Sequence, residues 1–175
     1  SNSDGEDVIV QKRFQRVAVL KGGPSSEREI SLRSGAAVAG GLRAAGYRVD
    51  EVDVTGAELS IPAGVEAVFI ALHGAFGEDG QVQRLLNERG LPYTGSGVEA
   101  SRVSSDKRLS KGVFDRAGIP TAAWAVVRRG ESCPLPFPVV VKPPSQGSTI
   151  GIHRVRDAAD WPSALEDALR YDDAA

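Results

Sequence analysis

The 175-residue sequence has one cysteine, Cys133, and no methionine. A single thiol excludes an internal disulfide. Cys133 lies in a proline-containing connection with no histidine or aspartate beside it, which reads as a tolerated thiol in a reducing compartment rather than a nucleophile. There are two histidines, His73 and His153, too few for a dedicated imidazole metal site. No apolar run approaches the roughly 20 residues that cross a membrane. The net charge of -2 gives no global attraction to nucleic acid or an anionic bilayer. Ser1-Asn2-Ser3-Asp4-Gly5-Glu6-Asp7 is polar and acidic where a secretory leader would be basic and then apolar. The expectation is a cytoplasmic protein whose residues 1–13 form a disordered tail or an added remnant, outside the fold.

What is present is ordinary globular material, with 41% hydrophobic and 25% charged residues, enough for one good core or two small ones. Phe14 to Leu20 is an apolar run suited to a buried strand. It breaks at Lys21-Gly22-Gly23-Pro24-Ser25-Ser26, and Glu27 to Ala45 follows at loose helical spacing with Gly46 as a stop. Ser25 or Ser26 is placed to cap that helix, with Glu29 completing a capping box from Ser26. Arg48–Val54 alternates as a second strand, Glu66–Leu72 reads as a strand buried on both faces, and Gln81–Glu88 reads as a helix. Leu91–Thr94 reads as a further short strand. Strands joined by helical crossovers predict an α/β domain over residues 14–100, with an open, mostly parallel, Rossmann-like sheet. Ligands gather beyond the carboxyl ends of such strands. Residues 101–175 predict a smaller α+β unit: a helix from Ser104 toward Gly118, a strand over Ala122–Val127, a hairpin, and a last helix opened by Asp160-Trp161-Pro162.

The hairpin carries the strongest chemical signal. Phe137-Pro138-Val139-Val140-Val141 ends in Lys142, Pro143-Pro144 stops it, Gly147-Ser148-Thr149 follows, and Ile150-Gly151-Ile152 carries the chain back. The lysine can project from the strand end, and the small residues let backbone N–H groups approach an anion. On the residues alone this is either a phosphate loop or a hairpin with a polar turn. Glu27, beside the free amides of a helix start, either stabilises the helix dipole or holds a substrate amine. His73 ends a buried strand before Gly74, and Glu78 and Asp79 in the same loop could orient its ring or bind a cation. Lys107 opposes the dipole at a helix start, a conflict that a nearby anion would remove and a solvated side chain would not feel.

Taken in order, Val17-Ala18-Val19-Leu20-Lys21-Gly22-Gly23-Pro24-Ser25-Ser26-Glu27, Ala71-Leu72-His73-Gly74 through Gly80, Pro92-Tyr93-Thr94-Gly95-Ser96, Ser105-Asp106-Lys107, and Val141-Lys142-Pro143 with Gly147–Gly151 resemble the D-alanine–D-alanine ligase family of ATP-grasp enzymes. The resemblance implies a pre-ATP-grasp amino-terminal domain, a partial central ATP-grasp subdomain, and D-alanine, ATP and Mg2+ as substrates and cofactor. It implies that Glu27 holds the ammonium of the first D-alanine and that His73 lies near its carboxylate. Lys107 and Lys142 would contact ATP phosphates. The Gly147-Ser148-Thr149 loop would close over the transferred group, with Ser148 also bonding toward Glu27. Thr149 stands where serine is more usual, and the loop is expected to tolerate it. The family further suggests a homodimer, with no nucleic acid or membrane partner. The family's central domain is unfinished at Ala175, so the metal ligands and the other half of the ATP site are expected outside this chain, which alone would neither ligate nor hydrolyse ATP appreciably. A non-catalytic D-alanine or nucleotide-binding module, or a piece of another ATP-grasp ligase such as a D-alanine–D-lactate ligase, are the alternatives.

Overall fold

The computed structural model describes residues 13–56 and 58–175; the expected tail lies outside the described residues except for Arg13. By internal contacts the chain divides into two compact units, one ending at Gly95 and containing Val82–Gly95, the other comprising Glu78–Gln81 and Ser96–Ala175.

The first unit is built on β1 (Arg16–Gly22), α1 (Arg28–Ala44), β2 (Arg48–Val54) and β3 (Ala67–Ile70). The three strands form a parallel sheet in the order β2-β1-β3. β1 is central, and its apolar run is buried on both faces as the sequence requires. Ala18 and Leu20 join Val54, Val68, Leu72, Phe76, Val82 and Leu86 on one side, while Val19 meets Ala39 and Ala71 on the other. The period-2 alternation of a strand delivers successive side chains to these two layers. α2 (Gln81–Glu88) has Val82 and Leu86, both fully buried, at helical spacing.

Two expectations are corrected here. Leu91–Thr94 is not a strand: it makes one parallel bridge, Tyr93 to Val68, with Pro92 accepting from Val68 N–H and Thr94 donating to the Val68 carbonyl. Pro92 has no N–H with which to extend a ladder. Neither Ser25 nor Ser26 is the cap of α1. The capping position is Glu27, without a side-chain cap bond, and Ser25 Oγ instead accepts from the Glu27 amide at 3.2 Å and donates to the His73 carbonyl at 2.7 Å.

The second unit contains α3 (Val98–Ser104), α4 (Lys107–Arg116), β4 (Val139–Val141), β5 (His153–Val155) and α5 (Trp161–Ala168). β4 and β5 pair antiparallel. Trp161, Ala164, Leu165 and Ala168 of α5 pack with Val141 and Val155 in a separate core that includes Val127. α3 was not anticipated, because Val98-Glu99-Ala100-Ser101-Arg102-Val103-Ser104 lacks an apolar stripe; it starts from extended Gly97. Asp106 then caps α4, its carboxylate accepting from the Arg108 amide at 2.8 Å. The strand expected over Ala122–Val127 is absent. A strand exists only where a partner backbone lies alongside, and in this stretch only Val127 exchanges bonds, both at 2.9 Å, with Ala175. The return strand begins at His153 rather than Ile150, because residues 148–151 are spent on a turn.

Candidate functional site

In the first unit the candidate residues gather at the carboxyl end of the sheet. Glu27 closes the turn between β1 and α1, and His73 follows the end of β3. Ser25 links them through one hydroxyl, which receives the Glu27 N–H and binds the His73 carbonyl. Gly74 is needed between them. Its φ is +68°, and a Cβ there would lie 2.8 Å from Glu27 Oε2 and 3.2 Å from Ser25 Cβ, closer than atoms pack without displacement. The Glu27 carboxylate is half-buried and takes no hydrogen bond or ion pair among the described residues. A partly desolvated carboxylate without a cation is suited to receive one from outside.

The frame around this edge is polar and specific. Ser31, fully buried on α1, accepts from Gly22 N–H at 2.9 Å and donates to the Ala71 carbonyl at 2.6 Å, tying the helix to β1 and to the exit of β3. Ser34 Oγ lies 3.0 Å from His73 Nε2. Arg28 forms a bidentate pair with Asp53 at 2.8 Å for each bond and reaches the Val54 carbonyl. This hydrogen-bonded pair holds the Asp53 carboxyl below the usual carboxylate range. The clamp lies over Gly22, whose Cβ would be 2.4 Å from both Arg28 Nη1 and Asp53 Oδ1. The sequence pointed to Glu27 and His73 but not to Ser31, Ser34 or Arg28. The spacing of Ser31 and Ser34, three residues apart on one helix face, was the available signal. Asp79 has a structural task, accepting from the Gln81 backbone and side-chain amides at the start of α2.

In the second unit the loop after β4 is the centre. Lys142 is exposed, and its ammonium makes no hydrogen bond or ion pair among the described residues. Lys107 is differently employed. Its Nζ donates to the carbonyls of Pro143, Pro144 and Gln146 at 3.1, 3.2 and 2.5 Å, while its backbone N–H donates to Pro144 O. Burial, and then the charge of Lys142, push the Lys107 ammonium below the usual lysine range. On the other side of the loop, Asp172 accepts from Ser145 N–H at 2.9 Å and from its hydroxyl at 2.7 Å. Beyond these anchors the tip turns through Gly147, Ser148 and Thr149, and Ile150 N–H closes on the Gly147 carbonyl at 3.0 Å. Ser148 and Thr149 have φ of 51° and 69°, the signs of a type I′ turn and an unfavourable region for a β-branched residue. Both side chains are exposed. A cleft of about 480 Å³ lies beside Lys107 and Lys142, with Trp161, Val126, Leu135 and Pro138 among its walls, within the roughly 300–1,000 Å³ of small-molecule sites. Among the described residues no group of three or more His, Cys, Asp or Glu side chains converges to hold a metal ion.

A parallel sheet with a free carboxylate at its carboxyl edge, and an antiparallel hairpin bearing a lysine and a glycine–hydroxyl loop, define an α/β protein of the ATP-grasp class. The family models for the D-ala D-ala ligase N-terminus and C-terminus match residues 55–96 and 113–175, together more than half of the chain. The sequence is 50% identical over 169 residues to a D-alanine–D-alanine ligase of Citrifermentans bemidjiense, covering 94% of this chain and 55% of that protein. It is 47% identical over 158 residues to one of Methylacidiphilum infernorum, covering 90% and 52%. The crystal structure of D-alanine–D-alanine ligase from Bacillus anthracis superposes with a TM-score of 0.79 at 32% identity, covering 91% of this chain and 55% of that one. The chain belongs to the D-alanine–D-alanine ligase family. It spans about half the length of the curated relatives it matches.

Proposed function

We propose that the whole protein is a cytoplasmic, ATP-dependent D-alanine–D-alanine ligase supplying dipeptide for peptidoglycan synthesis, and that residues 14–100 form its amino-terminal substrate-binding domain and 101–175 part of its central domain. The observation that carries this reading is the unpaired, half-buried carboxylate of Glu27 beside His73 and Gly74. In the proposed cycle the γ-phosphoryl group of ATP is transferred to the carboxylate of a first D-alanine. The amine of a second attacks the acyl phosphate, and phosphate leaves. Glu27 accepts hydrogen bonds from the first ammonium, and His73 lies toward its carboxylate. Lys142 and Lys107 offset phosphate charge, and Gly147, Ser148 and Thr149 cover the transferred group. Such chemistry is governed by positioning and charge stabilisation. The Mg2+ of the cycle is assigned to side chains other than the described ones, and the functional protein is proposed to be a homodimer.

Calorimetric titration of the chain with D-alanine and L-alanine tests the substrate assignment. The expected result is saturable binding of the D enantiomer, weakened about tenfold in Glu27→Gln, the worth of a hydrogen bond to a charged group. Equal responses of the native chain and Glu27→Gln would overturn it.

A further inference from the structure

Helix α2 begins by taking hold of the loop that leads away from His73. Its consecutive residues Val82 and Gln83 bind the carbonyls of the consecutive residues Phe76 and Gly77: the Val82 backbone N–H donates to Phe76 O at 3.1 Å, and the Gln83 side-chain Nε2 donates to Gly77 O at 2.8 Å. Gln83 is 5% exposed, and its other amide atom, Oε1, is buried with no hydrogen-bond partner among the described residues. The orientation of the amide is dictated, since exchanging its two ends would set Oε1 2.8 Å from the Gly77 carbonyl oxygen. We propose that Gln83 is a positioning residue for the candidate site, holding the 74–77 loop in the conformation that brings Gly74 against the Glu27 carboxylate.

The loop has a conformation that its own residues do not favour. Gly74 and Phe76 have φ of 68° and 71°, and for phenylalanine this left-handed region is disfavoured. Gly77 folds back onto Leu72 so closely that a Cβ on it would lie 2.5 Å from Leu72 Cβ. Contacts from outside the loop must therefore hold it. Phe76 is buried in the core with Val82 and Leu86, which fixes its side chain, and the two bonds from α2 fix the backbone. At the other end a Cβ on Gly74 would be 2.8 Å from Glu27 Oε2, so even a small shift of the loop changes the room beside that carboxylate. The orphan oxygen points the same way. A methionine would fill the space of Gln83 with no side-chain oxygen left unpaired; what glutamine adds is the N–H to Gly77. A packing rule broken inside a core is expected at positions that serve a site.

The role in binding rests on the function proposed above; the hold on the loop does not. Nitrogen-15 relaxation of the labelled chain without ligand reads the loop directly, with order parameters of about 0.85 for rigid backbone and below about 0.6 for flexible backbone. The native Gly74, Ala75, Phe76 and Gly77 amides are expected in the rigid range, and in Gln83→Met they are expected to fall toward the flexible one. That substitution exchanges the unpaired Gln83 oxygen for an unpaired Gly77 carbonyl, so the denaturant midpoint is expected to stay close to native. Leu86→Val, which removes a buried methylene one turn further along α2, is the opposite control: a lower midpoint with a rigid loop. Calorimetric D-alanine titration is expected to follow the loop and not the stability, weakening about fivefold in Gln83→Met, the worth of one neutral hydrogen bond, and holding at the native value in Leu86→Val. A loop that stays rigid in Gln83→Met, a loop loosened equally in both variants, or a loosened loop with undiminished D-alanine affinity would each overturn the proposal. Failure of the native chain to bind D-alanine would count against the proposed function, while the relaxation data alone decide whether Gln83 holds the loop.

Discussion

Asp106 shows how much one side chain carries at the start of α4. It caps α4 through the Arg108 amide and pairs with the Arg108 guanidinium at 2.7 Å. The hydrogen bond from the Arg108 side chain holds its carboxyl below the usual aspartate range. A carboxylate whose folded value is depressed stabilises the fold above its unfolded pKa, near 3.9, and that contribution is lost as pH falls through the folded value. Denaturant titrations are expected to show Asp106→Ala losing about 1 kcal/mol at neutral pH, the usual cost of a cap. Asp106→Asn should keep most of the cap while shedding part of the loss of stability below pH 4. Thr149 makes a second case. Its hydroxyl is proposed to face the transferred phosphoryl group, but its backbone conformation was not legible: at φ 69° the branched Cβ costs about 1 kcal/mol. Thr149→Gly should therefore tighten the turn, slowing hydrogen exchange of the Ile150 amide by up to about fivefold.

At the level of elements, the regions with a clean hydrophobic period were legible and those shaped by partners were not. β2 and α2 fall where alternation and helical spacing put them, Arg48–Val54 and Gln81–Glu88. α3 was missed because its seven residues bury only Ser101, so no apolar stripe was there to read. Ala122–Val127 looked like a strand by composition, yet strand character depends on a neighbour that local sequence does not name. The Glu27 and His73 positions could be read because each sits where a strand gives out. Ser31 could not, since its partners Gly22 and Ala71 lie 9 and 40 residues away. It is the joint between α1 and the sheet. Ser31→Ala would leave a buried N–H and a buried carbonyl without this partner, and thermal or denaturant unfolding should show a loss of about 1–3 kcal/mol.

For the molecule as a whole, the alternation of strand and helix patterns correctly signalled an α/β chain, and no helix among the described residues is long and apolar enough to cross a membrane. Order of motifs, more than any motif alone, carried the family. What composition and order could not convey is how Lys107 is employed. An ammonium has three N–H bonds, and all of them are spent on the carbonyls of Pro143, Pro144 and Gln146. Any phosphate oxygen that takes a direct hydrogen bond from this lysine must displace one of those carbonyls. Anion capture and release of the loop's base then become a single exchange equilibrium, so the anion's apparent affinity is reduced by the free energy with which the lysine grips its own loop.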